Sequence, residues 1–445
     1  LFQAADGQHG WELWTSDGTK AGTRMVKDIT PNNNVSWGNF IPLGLIGNTY
    51  YFLTDHNYDK NLELWKSDGT ENTTVMVPDF PVFTSVFPVG KSDTHIFFRT
   101  TNSSTSENEL WATDGTGTNT IKVLDGYFAG FNQNMGTHLM FAANNPANNS
   151  YSLWSSNGTD IGTYKVKDFG FSYLQRLNRF NDKLIFGVYS DTWISDGTEA
   201  GTTFLTTGAA DGSITIGTDF YSLGYDFSTG FYRLFKTDGT MVETYNMLDP
   251  ADLGALAMFH QIPVLGNKLY LQYFEESLGQ ELAAFNLDSK NFDVIKDINP
   301  GPGGSVPRAW ARLHDKIYFL ADDGSHGTEI WSTDGSADGT SMLKHIMTEN
   351  GNAFRSVYFS PVELVAADNK LQLLVEPQAN KLAIYSSDGT QEGTLQKFEF
   401  PTSGGTLFGQ VNNELIYFSD RKFFKTRGST NDVTLFKDIT NDVGG

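Results

Sequence analysis

One twelve-residue stretch constrains this chain more than anything else in it: Glu12-Leu13-Trp14-Thr15-Ser16-Asp17-Gly18-Thr19-Lys20-Ala21-Gly22-Thr23. Versions of it recur from end to end. Leu13 and Trp14 close an apolar, strand-forming run. Asp17-Gly18 is a turn signal, since the carboxylate caps backbone donors and Gly takes positive φ without a Cβ clash. A second Gly-Thr follows, then Met25-Val26-Lys27-Asp28-Ile29, another short strand. The unit reads as strand, tight polar connection, strand. Its Trp offers apolar surface that one hairpin cannot cover alone.

The aromatic position recurs as Trp14, Trp65, Trp111, Trp154, Trp193, Phe235, Phe285, Trp331, Tyr385 and Phe424, ten copies spaced 39 to 54 residues apart. Three positions later stand Asp17, Asp68, Asp114, Asn157, Asp196, Asp238, Asp288, Asp334, Asp388 and Arg427. The next residue is Gly in nine copies, among them Gly18, Gly69 and Gly115, with Ser289 the exception. Upstream of each aromatic lies a strand-like segment, as in Tyr50 to Asp55, Lys268 to Tyr273 and Lys316 to Asp322. Ahead of most of these is one more apolar run, such as Phe40 to Ile46 or Tyr173 to Leu177; near 211–217 the pattern is weak. Four strands in about 44 residues fit a propeller blade. Ten copies supply strands two to four and nine supply the first, because Leu1 to Asp6 already reads as a second strand. The chain is therefore expected to begin inside a longer precursor. Insertions are expected at 30–39, 207–218, 250–262 and 346–357, and one or two helical turns over Asp252 to Phe259.

The predicted fold is all-β: a β-propeller of four-stranded blades, about ten repeats, as one ring over residues 1–445. Two abutting smaller propellers are the alternative. Composition agrees, with aromatics at 14%, charged residues at 19% and 45 Gly for tight turns. A net charge of −21 repels phosphate backbones and anionic bilayers, so nucleic acid is not an expected partner. Cysteine is absent, which removes disulfides, thiolate metal sites and a Cys nucleophile. No run of 18 apolar residues would insert in a membrane.

Glu-Leu-Trp, two variable residues, Asp-Gly-Thr, a later Gly-Thr and Val-Lys-Asp-Ile together resemble the ELWxxDGT repeats of secreted and surface bacterial proteins. The copies that carry the resemblance best are Glu12 to Ile29, Glu63 to Phe80, Glu109 to Asp125 and Glu329 to Ile346. Similar Asp/Gly hairpin turns occur in the Asp-box of sialidases. The resemblance spans essentially the whole chain. It implies a propeller-like array in an exported protein, often of Bacteroidota and carried by the type IX secretion route, adhesin-like in many members. The sorting domain of that route is not recognisable in the sequence.

Each recurring Asp is expected to cap its own turn; calcium held by these carboxylates is the competing reading. The recurring aromatics are expected to fill space between blades. His9 and His326 sit in matching Asp-Gly-x-His-Gly contexts, as loop hydrogen-bonders. The other histidines show no zinc spacing. Residues outside the pattern are the binding candidates: Trp11, Trp37, Trp310, and Tyr221, Tyr225 and Phe227 in an aromatic-dense segment. Glu275 and Glu276 make a poor glycosidase pair, since adjacent strand residues face opposite ways. No catalytic constellation stands out. The expected function is a non-catalytic surface or secreted scaffold for a protein or glycan, as an adhesin or as part of an export or gliding-motility complex. A polysaccharide-acting enzyme, glycosidase or lyase, is the alternative.

Overall fold

Thirty-nine strands and no helix make up the described residues of the computed structural model. These are residues 1–5, 9–16, 22–30, 40–55, 59, 61–102, 106–226, 231–240, 242–246, 262–346, 364–367, 369–378, 381–399, 405–411, 414–419, 422–426 and 434–438. The strands form ten separate antiparallel sheets, numbered here in chain order, each a meander of consecutive strands. Sheet 1 has three strands (Phe2–Ala5, Trp11–Thr15, Arg24–Lys27) and the other nine have four. This matches the count of first strands in the sequence.

Sheet 8 shows the unit plainly: Arg308–Leu313, Lys316–Asp322, Thr328–Thr333 and Ser341–Lys344. The third strand carries the recurring aromatic, here Trp331, and the Asp-Gly turn joins it to the fourth. In sheets 1, 3, 4, 5, 8, 9 and 10 the ladder between these strands slips just before the aromatic, as at Leu13/Trp14 and Ile330/Trp331. A bulge there adds local twist and re-aims the aromatic side chain.

One expectation fails at sheet 6. The weak stretch, read as an insertion over 207–218, is a full first strand, Ala209–Ile216, paired with Asp219–Asp226. Its Gly and Asp residues hid it: the register shifts between Ala210 and Gly212, so the polar residues sit in a bulge that interrupts the alternation. The expected helical turns over Asp252 to Phe259 lie outside the described residues, as do most of the other three insertions.

Apolar side chains gather between consecutive sheets. Leu13 and Val26 of sheet 1 meet Phe52 and Trp65 of sheet 2. Leu53 and Leu64 of sheet 2 meet Ile96 and Phe98 of sheet 3, with Trp111 packed against them. Tyr270, Leu282 and Ala284 of sheet 7 meet Ile317, Phe319 and Trp331 of sheet 8. The same holds for every pair from sheets 1 and 2 to sheets 8 and 9. The direction is constant: the recurring aromatic of one sheet fills the seam with the sheet before it. Covering a large aromatic contributes about 1.5–3 kcal/mol. Each sheet therefore depends on its neighbour.

Candidate functional site

The recurring polar residues are occupied by structure. In sheet 5, Asp196 Oδ1 accepts the Thr198 N–H (2.9 Å) and hydroxyl (2.7 Å). The Thr198 hydroxyl oxygen in turn accepts the Gly201 N–H at 2.9 Å. Asp334 with Ser336, Asp388 with Thr390 and Asn157 with Thr159 repeat the arrangement. Hydroxyl donation holds the carboxyls of Asp68, Asp196, Asp334 and Asp388 below the usual range. Asp114 binds Thr116 and Asn119 of its own turn. Among the described residues no group of three or more His, Asp or Glu side chains is arranged to ligate a metal ion directly. Asp17 and Gly18 lie outside the described residues.

The glycines after these Asp residues are needed twice over. Gly115 has φ of 93° and Gly335 of 91°, and a Cβ at either would collide with a tyrosine hydroxyl of the preceding sheet, Tyr51 or Tyr270. Burial raises the phenol pKa of Tyr51, Tyr270 and Tyr318, and the negative charges of Asp114, Asp334 and Asp388 add to it.

Three further recurring groups have jobs that sequence reasoning missed. A Ser or Thr precedes every turn Asp but Asp288, and pairs with the later Thr at Ser67 with Thr74, Ser195 with Thr202, Thr333 with Thr340 and Ser387 with Thr394, all at 2.7 Å. The signal was present, since that position is Ser or Thr in every copy from Ser16 to Thr237. The Glu of Glu-Leu-Trp turns inward. Glu281 accepts the N–H groups of Ile298 (2.9 Å) and Asn299 (3.1 Å) and the Ser305 hydroxyl (2.6 Å). Glu12 accepts the N–H groups of Ile29 and Thr30, both at 2.8 Å. Burial raises both carboxyl pKa values despite these bonds. Last, the Lys of Lys-Asp-Ile crosses to the next sheet: Lys27 Nζ donates to Thr74 O (2.9 Å) and Lys296 Nζ to Thr340 O (2.7 Å).

Trp65, Trp111, Trp154, Trp193 and Trp331 lie in the seams, the first and last buried and the others half-buried; Trp14 is half-buried. Of the non-repeat candidates, Trp11, Tyr221 and Trp310 belong to three non-consecutive sheets, 1, 6 and 8. Trp11 is half-buried. Tyr221 is corrected: it is a core residue between sheets 6 and 7 and has no face to offer a partner, because both faces of its strand are covered, Phe220 packing toward sheet 5 and Tyr221 toward sheet 7. Trp310 is half-buried against Phe319, ring centres 5.3 Å apart. Tyr225 lies in a described strand, and its side chain, like Trp37 and Phe227, is outside the described residues. Glu275 and Glu276 are exposed at a turn, where Glu275 accepts the Ser277 hydroxyl.

Exposed aromatics lie elsewhere, singly at places such as Phe87 and Phe131 and as a group of three in sheet 5. At one end of sheet 5, Phe171 is 82% exposed, Tyr189 58% and Tyr173 42%. The two tyrosine rings meet edge to face, centres 6.0 Å apart. Their backbones are joined by the Tyr189 N–H on Tyr173 O at 2.9 Å, and Gln175 Nε2 donates to Tyr189 O at 3.1 Å. Sequence reasoning took Tyr173 as the first residue of a strand running to Leu177. The strand begins at Leu174, which leaves Phe171 and Tyr173 on the approach to it.

The class these features define is an all-β tandem-repeat protein, built of four-stranded meanders joined seam to seam. Among solved structures the chain is similar to the β-propeller domain of the Trilobed protease from Pyrococcus furiosus, at 15% identity and a TM-score of 0.30, over 71% of this chain and 99% of that one. It is also similar to a prolyl endopeptidase (14%, TM-score 0.37, 78% of this chain and 49% of that one). Oligopeptidase B from Leishmania major is a third (10%, TM-score 0.34, 70% and 49%). At such TM-scores the likeness carries no argument, and the fold stands on the sheets themselves. No protein-family model matches the chain, and no curated protein does.

Proposed function

We propose that this chain is a non-catalytic binding scaffold of the ELWxxDGT type, secreted or held at a bacterial cell surface, whose sheets are the blades of one propeller ring. The observation that carries the reading is a division of labour. The recurring polar groups are engaged in turns and seams, while the exposed Phe171, Tyr173 and Tyr189 gather at one end of sheet 5. Aromatics on a rigid frame stack on sugar rings and act as protein hot spots. Rigid blades with variable loops suit such recognition.

The test is capture of envelope proteins and glycans from the source cell on the immobilised chain, beside a Phe171→Ala/Tyr189→Ala variant. A ligand held by the parent and lost by the variant supports the reading. Capture that is equal on both sinks the sheet 5 site, and turnover of a captured polysaccharide would replace scaffold with enzyme.

A further inference from the structure

The end of sheet 8 holds two histidines that the sequence keeps 19 positions apart, His326 and His345. His326 lies in the loop between the second and third strands. There Asp323 Oδ1 accepts the N–H groups of Ser325 (2.9 Å) and His326 (2.8 Å), while Asp323 Oδ2 lies 2.7 Å from His326 Nδ1. His345 follows the fourth strand. Its Nδ1 lies 2.9 Å from Oε1 of the fully buried Glu329, whose Oε2 accepts the Ile346 N–H at 3.0 Å. The rings meet at 66° with centres 5.0 Å apart, and both side chains are about half exposed.

A carboxylate on Nδ1 keeps the proton there and leaves the lone pair on Nε2, the tautomer and outer-shell partner that metal-ligating histidines use. Neither Nε2 hydrogen-bonds to a described residue. Two imidazoles on one ion at about 2.0–2.1 Å, near the tetrahedral angle, put ring centres roughly 5 Å apart. The repeat itself does not require the pair. Where His345 stands, sheets 1 and 7 carry Asp28 and Asp297.

We infer that His326 and His345 together form a site for one late first-row divalent ion of the Zn2+, Ni2+ or Cu2+ kind. Imidazole nitrogen selects these over calcium, which takes oxygen donors. The protein supplies two donors, with Asp323 and Glu329 in the outer shell, and the remaining positions are open to water or to a donor from a partner.

The experiment titrates the chelator-treated chain with ZnCl2 by calorimetry at pH 7.5, with CaCl2 in parallel. One zinc ion per chain is expected, bound more than tenfold more weakly by His326→Ala and by His345→Ala. Asp323→Asn should weaken it about tenfold, the scale of outer-shell losses. His9→Ala should bind as the parent does. Melting curves accompany each variant, with His345→Asn standing in for any alanine variant that fails to fold. No zinc binding by the parent, equal binding by the histidine variants, or sensitivity to only one histidine overturns the site.

Discussion

Trp331 shows what one recurring residue contributes. It is buried in the seam between sheets 7 and 8, and its indole N–H has no partner among the described residues. Trp331→Ala should cost about 3–5 kcal/mol in thermal or denaturant unfolding. Trp331→Phe should cost under half of that, since it keeps most of the packing and strands no hydrogen bond. Glu281 is the opposite case, a charge placed where water is absent. Its folded pKa is raised by burial above the ordinary 4.5. The folded state therefore holds the proton more tightly, and this group's contribution is fully present below about 4.5 and lost as pH rises through the folded value. The turn aspartates act in the other sense: their pKa values are lowered, and their contribution is lost as pH falls through the folded values. Unfolding of Glu281→Gln against parent should show the parent losing ground as pH rises from about 4.5 toward neutrality. A difference independent of pH would contradict this account. Trp and Asp were legible as residues because they recur; the Glu role was not, because the N–H groups it binds lie 17 and 18 positions away.

At the scale of the element, the hairpin carries its own instructions and borrows its stability. The Ser/Thr pair across the turn is buried, so Thr340→Val removes the bonds of its hydroxyl to Thr333 and to Ser336 O, leaves Thr333 only the Gly335 N–H, and should cost about 1–3 kcal/mol. Lys296 ties sheet 7 to the sheet 8 turn through Thr340 O. Lys296→Met should destabilise by about 1–2 kcal/mol and speed amide exchange in residues 334–340; unchanged exchange would show the tie to be idle. Alternation and turn chemistry revealed nearly every strand, since both are local. Strand Ala209–Ile216 escaped because its bulge breaks the period of two that strand reading relies on.

For the whole molecule, seams that among the described residues join consecutive sheets make stability a sum of units and seams. A closed ring should appear in negatively stained images as an annulus with a central opening, and an open curved row would refute closure. A cavity-forming change in one seam, such as Leu282→Ala, should lower protection most in sheets 7 and 8.

The repeat by itself determined the all-β class, the four-strand unit, the three-stranded start and the turn geometry, because those rest on contacts within about forty residues. Only tertiary structure decided which way each aromatic faces, that Tyr221 is core, that Phe171, Tyr173 and Tyr189 share one exposed end, and that His326 meets His345. Those outcomes depend on register, bulges and the neighbour across a seam, and distance along a chain does not encode them.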